Sequence, residues 1–312
     1  MHVPNRSTVV TDDGAQLAVY ASGDPDAGAT AVLAHGYMMS ADVWRMQERE
    51  LAARGFRVIR YDQRAHGNSR GGTDVATIGR LAADLAHIIT KTAPEGPLVL
   101  AGHSLGGMIS LALAAQRPQL IVQRRPRVAL ISTSCSKVTF RPGNRPLHWA
   151  KAVSRAGYAY PTCWLPSVSD HVRRHLPDSH FWALRSRNNG DPTNPTPCRH
   201  AIRHTPTAPI AELWRSMRAF DTAGALGALT ALGDHVEIVT GALDDMIPLS
   251  KTLQLARELP QATMHFPISR ARHRLPTDRH GHTAVTAMLT RMCEAALAEG
   301  TVAATPGMPL AR

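Results

Sequence analysis

Residues 97–116 read PLVLAGHSLGGMISLALAAQ: a short apolar run, then the pentapeptide Gly102-His103-Ser104-Leu105-Gly106, then a stretch of small and apolar residues with helical character. A brief continuous apolar run bounded by glycine suits a strand buried on both faces. A serine hydroxyl is a poor nucleophile at neutral pH. It becomes useful where a tight strand-to-helix turn thrusts it toward a histidine and toward backbone amides that can hold an oxyanion. Gly102 and Gly106 make such a turn sterically possible. The strand before and the helix after set this pentapeptide apart from a coincidental Gly-rich turn, and Ser104 is the candidate nucleophile.

Outward from this point the chain repeats the same alternation. Apolar runs of strand length recur as TAVLAH (30–35), FRVIRYD (56–62), RVALIST (127–133), VEIVTG (236–241) and, more weakly, ATMHFP (262–267). Helical patterns over 43–54, 78–90, 108–116, 250–259 and 283–298 lie between or after them. Strand-helix alternation predicts a doubly wound α/β core, a mostly parallel sheet covered on both faces by right-handed crossovers. Residues 7–20 alternate apolar and polar around Asp13-Gly14 and predict a hairpin at a sheet edge. The rhythm is lost for about a hundred residues after Cys135, far beyond an ordinary crossover. This divides the chain into a core of residues 1–135 and 235–299, an insertion of residues 136–234 and a flexible tail of residues 300–312. The insertion holds four of the five tryptophans, Trp149, Trp164, Trp182 and Trp214, which is not the composition of a linker. Aromatic side chains bury large apolar areas, so the insertion is expected to be a mainly helical cap over the site.

Composition narrows the function. A chain of 312 residues can bury a sizeable core without disulfides, and its four cysteines, Cys135, Cys163, Cys198 and Cys293, form no CxxC pair. They read as reduced thiols, and a cytoplasmic setting is the default expectation. The start, MHVPNRSTVVTDDG, lacks a signal-peptide pattern, and no stretch approaches the roughly 18 to 20 apolar residues of a membrane span, so a soluble protein is expected. The net charge of +11 is spread over scattered arginines instead of a basic arm, which favours a solvated surface over nucleic-acid binding. His171/His175 and His200/His204 have i, i+4 spacing but lack the HExxH glutamate and a third ligand, so no metal and no other cofactor is expected.

A second amide donor for an oxyanion is expected where the strand TAVLAH opens into the loop Gly36-Tyr37-Met38. Tyr37 is the candidate, with Met38 as its neighbouring alternative, and Leu105 supplies the other amide. Such donors contribute about 3 to 4 kcal/mol each to lowering an acyl-transfer barrier. His35, at a strand end beside glycine, reads as a structural hydrogen-bonding group.

With HGY at 35–37, YDQRAHGNS at 61–69, GHSLGG at 102–107 and GALDDMIP at 241–248, the chain resembles the α/β-hydrolase superfamily from its N-terminal hairpin to its last helix, the insertion excepted. The stretches HGYMMSADVW and GFRVIRYDQRAHGNS are similar to the serine esterase and cofactor-free haloperoxidase-like branch. The resemblance implies a Ser-His-Asp triad. Its GxxDxxxP pattern selects Asp244, with Asp245 as alternative; the position after the preceding strand that some relatives use is excluded, since ISTSC offers no carboxylate. The base follows the last strand, where His273, His280 and His282 stand. The family's histidine before an apolar residue and a proline matches His273, although Arg272 replaces the usual preceding glycine; His282 is the runner-up. Asp62, Arg64 and His66 are read as loop-fixing residues, and Ala65 stands where the family has glycine. Serine at 104 argues against the epoxide hydrolases and haloalkane dehalogenases of this fold, which carry aspartate there. The expected activity is hydrolysis of a small-molecule carboxylic ester or thioester with an apolar moiety. The same triad could serve an acyltransferase or a cyclase, and a hydrolase-fold ligand-binding protein with little turnover is a reading of a different class.

Overall fold

In the computed structural model residues 5–137 and 205–304 are described, together with Asp170, His171 and His175. The apolar runs pair as expected of strands buried on both faces. They form β3 (Thr30–Ala34), β4 (Arg57–Tyr61), β5 (Leu98–His103), β6 (Arg127–Ile131), β7 (Val236–Val239) and a two-residue β8 (Thr263–Met264). The hairpin is β1 (Asn5–Val10) and β2 (Gln16–Ser22), turning at Gly14, whose φ of 81° needs glycine. The sheet has eight strands in the order β1-β2-β4-β3-β5-β6-β7-β8; the hairpin is antiparallel and every pairing from β4 to β8 is parallel. Registers such as Ala34↔Gly102 and His103↔Ile131 bring the C-terminal strand ends to one rim of the sheet.

Two apolar clusters explain why the strands read as unbroken hydrophobic runs instead of alternating ones. In β5, Leu98 and Leu100 enter one cluster while Val99 and Ala101 enter the other; in β6, Val128 and Leu130 oppose Ala129 and Ile131. One face is covered by α1 (Arg45–Ala53) and α8 (His282–Ala304), the latter through Val285, Met288, Leu289 and Met292. The other face carries α2 (Ile78–Thr92) and α3 (Leu105–Gln116), with Leu81, Leu85, Met108 and Ile109 among their buried residues. Each fully buried side chain of this size contributes about 1.5–3 kcal/mol. The face covered by α2 and α3 also holds α4 (Pro118–Arg124), α5 (Thr207–Ala219), α6 (Gly227–Thr230) and α7 (Leu249–Glu258).

The differences from expectation are local. α4 carries no separate signal because only Ile121 of its seven residues is buried, too few for a helical period to register. The last helix continues to Ala304, into the stretch expected as tail; residues 305–312 lie outside the described part. Of the insertion, residues 138–169, 172–174 and 176–204 lie outside it, and with them Trp149, Trp164, Trp182, Cys163, Cys198, His200 and His204. Its described end packs on the core: Leu213, Met217, Phe220, Leu226, Leu229 and Leu232 all join the larger cluster. No helix among the described residues is long and apolar enough to cross a membrane.

Candidate active site

Ser104 sits between β5 and α3 with φ 55° and ψ −115°, a conformation L-residues avoid and one that persists only where its surroundings enforce it. Close approach enforces it here. A Cβ on Gly102 would lie 2.5 Å from the Gly106 carbonyl, and one on Gly106 would lie 2.2 Å from the Ala34 oxygen, so the strand, the turn and β3 touch backbone to backbone. The Ser104 amide donates to the Ile131 carbonyl (2.9 Å), and the Thr133 hydroxyl donates to the Ser104 carbonyl (2.7 Å). Thr133 belongs to no motif. Its role depends on β6 lying beside β5, and the sequence carries no signal for it.

The Ser104 hydroxyl lies 2.9 Å from His273 Nε2. His273 Nδ1 lies 2.9 Å from Oδ2 and 3.1 Å from Oδ1 of Asp244. Asp244 follows β7, and its Oδ1 also accepts from the amides of Met246 (2.9 Å) and Ile247 (2.8 Å). Burial alone would push the Asp244 carboxyl up, but the neighbouring His273, its hydrogen bond and the two amides outweigh burial and hold it below the ordinary carboxylate value. An ionised carboxylate only accepts, so Nδ1 of a neutral His273 carries the proton and Nε2 is left as the acceptor for the serine hydroxyl. The competing residues stand elsewhere. Asp245 is exposed, the His280 ring accepts from Arg279 Nε (2.9 Å), and the His282 ring lies 3.5 Å from the Thr283 hydroxyl. Asp278, which the sequence reading passes over, accepts from the amides of Arg272 (3.2 Å) and His280 (2.8 Å) and so shapes the loop that carries His273.

Leu105 opens α3, and the first amides of a helix have no intrahelical acceptor and sit at the positive end of its dipole. Tyr37 lies in the turn after β3. The Met38 amide, the alternative to that of Tyr37, donates to His66 Nε2 (3.3 Å). The Tyr37 hydroxyl donates to the Ile210 carbonyl (3.0 Å), and its ring centroid is 6.0 Å from that of Trp214, so α5 leans directly on this turn.

The loop after β4 braces the same turn. The Asp62 carboxylate accepts from the amides of Ala41 (2.7 Å) and Asn68 (2.8 Å) and from the Tyr20 hydroxyl (3.1 Å). Arg64 spans Asp13 and Asp84. His35 donates through Nδ1 to the Gly36 carbonyl (2.8 Å) and accepts at Nε2 from the Gln63 amide (3.0 Å). Ala65 has φ 59°, so the loop keeps the left-handed turn that glycine would serve more easily. Among the described residues no group of three or more His, Cys, Asp or Glu is arranged to hold a metal ion; the exposed His175 bonds through Nδ1 to the His171 carbonyl (2.8 Å).

Comparison with known proteins follows the same lines. The sequence model of a family described as the alpha/beta hydrolase fold matches residues 32–273. A protein of Variovorax paradoxus (strain S110) named "Putative carbamate hydrolase RutD" is 28% identical over 274 residues, covering 84% of this chain and 89% of that one. The "Non-heme chloroperoxidase" of Streptomyces lividans is 36% identical over 100 residues, 32% of this chain and 36% of that protein. Among solved structures, a thermophilic esterase from Thermogutta terrifontis matches with a TM-score of 0.66 at 24% identity, over 94% of this chain and 99% of that one.

Proposed function

The chain belongs to the α/β-hydrolase family, and from that premise we propose that it is a serine hydrolase cleaving a carboxylic ester or thioester with an apolar moiety through an acyl-enzyme. The observation that supports this reading is the hydrogen-bonded line from Ser104 through His273 to Asp244 at the rim of the sheet. In the first half-reaction Ser104 Oγ attacks the carbonyl carbon as His273 Nε2 takes its proton. The amides of Tyr37 and Leu105 stabilise the oxyanion, and the intermediate collapses, with the leaving alcohol or thiol taking the proton from His273. Water then attacks the acyl group, His273 again receives a proton and returns it to Ser104, and the carboxylic acid departs. Asp244 holds the tautomer and stabilises the imidazolium.

Residues 136–234 serve in this reading as a cap, and the contact of Tyr37 with Ile210 and Trp214 supports it. Tyr37, Trp214 and the half-exposed Leu243 beside Asp244 support an apolar moiety. The relative named for carbamate hydrolysis adds carbamates to the substrates worth assaying.

The test is labelling of wild-type and Ser104→Ala protein with a fluorophosphonate, beside turnover of a chain-length series of p-nitrophenyl esters and a p-nitrophenyl carbamate. We expect labelling and turnover in the wild type and neither in the variant. Turnover that survives in Ser104→Ala, or a wild type that is neither labelled nor active, overturns the reading.

A further inference from the structure

We propose that His103 is a positioning residue for His273: its Nε2–H donates to the main-chain carbonyl of His273 (2.8 Å) and ties the loop carrying the base to the strand carrying the nucleophile. This rests on the acyl-enzyme reading above.

The geometry leaves little freedom in assigning the proton. A carbonyl oxygen only accepts, so Nε2 of His103 is the protonated nitrogen and Nδ1 of the neutral ring is a bare acceptor. That Nδ1 is buried and, among the described residues, meets no donor. It faces Gly36, where a Cβ would come within 2.9 Å of it. Burial pushes the imidazole down to about 3, so the ring is neutral at neutral pH. An apolar side chain of similar size would fill this space without stranding a polar atom. What the imidazole adds is therefore its Nε2–H.

The bond it makes is set apart from the others that hold His273. The carbonyl of His273 has two lone pairs, and two donors fill them: the Leu275 amide of its own loop (3.0 Å) and His103 from β5 (2.8 Å). Asp244 and Ser104 grip the imidazole itself, through hydrogen bonds that must shift as the proton moves back and forth. The His103 bond acts on the main chain and is untouched by each proton transfer. Its donor is the residue next to Ser104, so any drift of the base loop away from the nucleophile must stretch it. A misplacement of about 1 Å at such a site costs on the order of 10²-fold in rate.

Glutamine and asparagine separate this role from simple filling of space. The amide nitrogen of glutamine stands as many bonds from Cα as the imidazole Nε2, whereas that of asparagine reaches only the Nδ1 position. We expect His103→Asn to lower kcat by roughly 10²-fold with KM within about twofold, and to displace the acid limb of the kcat/KM pH profile, because the ring no longer meets Asp244 squarely. His103→Gln should restore most of the rate and the wild-type profile. An asparagine variant with wild-type kcat, or a glutamine variant no better than asparagine, overturns the role. Should the asparagine variant fail to fold, ¹⁵N NMR of the wild-type imidazoles decides: a neutral Nε2–H tautomer for His103 between pH 5 and 9 supports it, and an Nδ1–H tautomer refutes it. Fluorophosphonate labelling keeps the two readings apart. A labelled wild type with an undiminished asparagine variant sinks only the positioning role, whereas an unlabelled wild type sinks the acyl-enzyme and this role together.

Discussion

Two buried sets of one histidine and one aspartate stand at the same rim of the sheet: His273 and Asp244, which bond to each other, and His66 and Asp62, which bond to other groups. Both nitrogens of His66 are committed to backbone: Nδ1 to the Arg64 carbonyl (2.9 Å) and Nε2 to the Met38 amide (3.3 Å). Asp62 spends its oxygens on two amides and the Tyr20 hydroxyl. At the other pair one nitrogen of His273 faces a carboxylate and the other faces the hydroxyl of Ser104. Burial raises Asp62 and lowers His66 to about 4, since it disfavours the charged form of each. Asp244 goes the other way because an imidazole and two amides favour its charge. Burial and residue type do not separate the pair proposed for chemistry from the bracing residues. The identity of the second partner does, since a nitrogen whose lone pair accepts a main-chain N–H is not open to take a proton from a hydroxyl.

The comparison breaks most readily at Asp244. Asp244→Asn removes the acceptor that fixes the tautomer, and steady-state ester hydrolysis should fall by about 10⁴-fold. Asp245→Asn, one residue on and exposed, should stay within about threefold; equal losses in the two would mean that the loop presents the wrong aspartate. His66→Ala should instead cost stability, about 1–3 kcal/mol in urea unfolding, because the Met38 amide loses its acceptor. Labelling of Ser104 should survive in that variant, and a folded His66→Ala protein that no longer labels would put His66 among the chemical residues.

Acidity tests the neutral histidines together. Burial pushes His66 down to about 4 and His103 down to about 3, and pushes His35 well below the ordinary value, against about 6.5 in the unfolded chain. Below about pH 6.5 the unfolded state therefore binds more protons. Their contribution is complete above that pH and drains as the pH falls toward the folded values, by on the order of 1.4 kcal/mol per pH unit for each histidine. Urea midpoints at pH 7.5, 6 and 5 should decline, and His66→Asn should decline less steeply. A pH-independent midpoint would show that these rings protonate in place. The smallest expected effect is at Ala65. Glycine relieves its left-handed backbone by about 1–2 kcal/mol but adds freedom to the unfolded chain, so Ala65→Gly should stabilise by roughly 0.5 kcal/mol, read from thermal unfolding.

Much of this was legible from the chain alone. The apolar runs of 30–35, 56–62, 97–101, 127–133 and 236–241 carry their own evidence of burial on both faces, because a strand covered on one side only would alternate. Gly102 and Gly106 mark the turn at Ser104, since no other residue permits the backbone contacts that turn makes. The segments after β7 and β8 mark where a carboxylate and a histidine must be sought. Other features escaped because they belong to pairs far apart in the chain. Thr133 matters only because it meets the Ser104 carbonyl, Asp278 because it gathers the amides of Arg272 and His280, and His103 because its ring reaches a carbonyl 170 positions away. Local sequence determines which way a backbone turns and which face is apolar, for those follow from sterics and periodicity within a few residues. It cannot decide whether a buried histidine faces a hydroxyl or an amide. That choice is made when segments as far apart as 170 positions come together; the motifs proposed different roles for His273 and His66, and the tertiary structure supplies the partners of each ring.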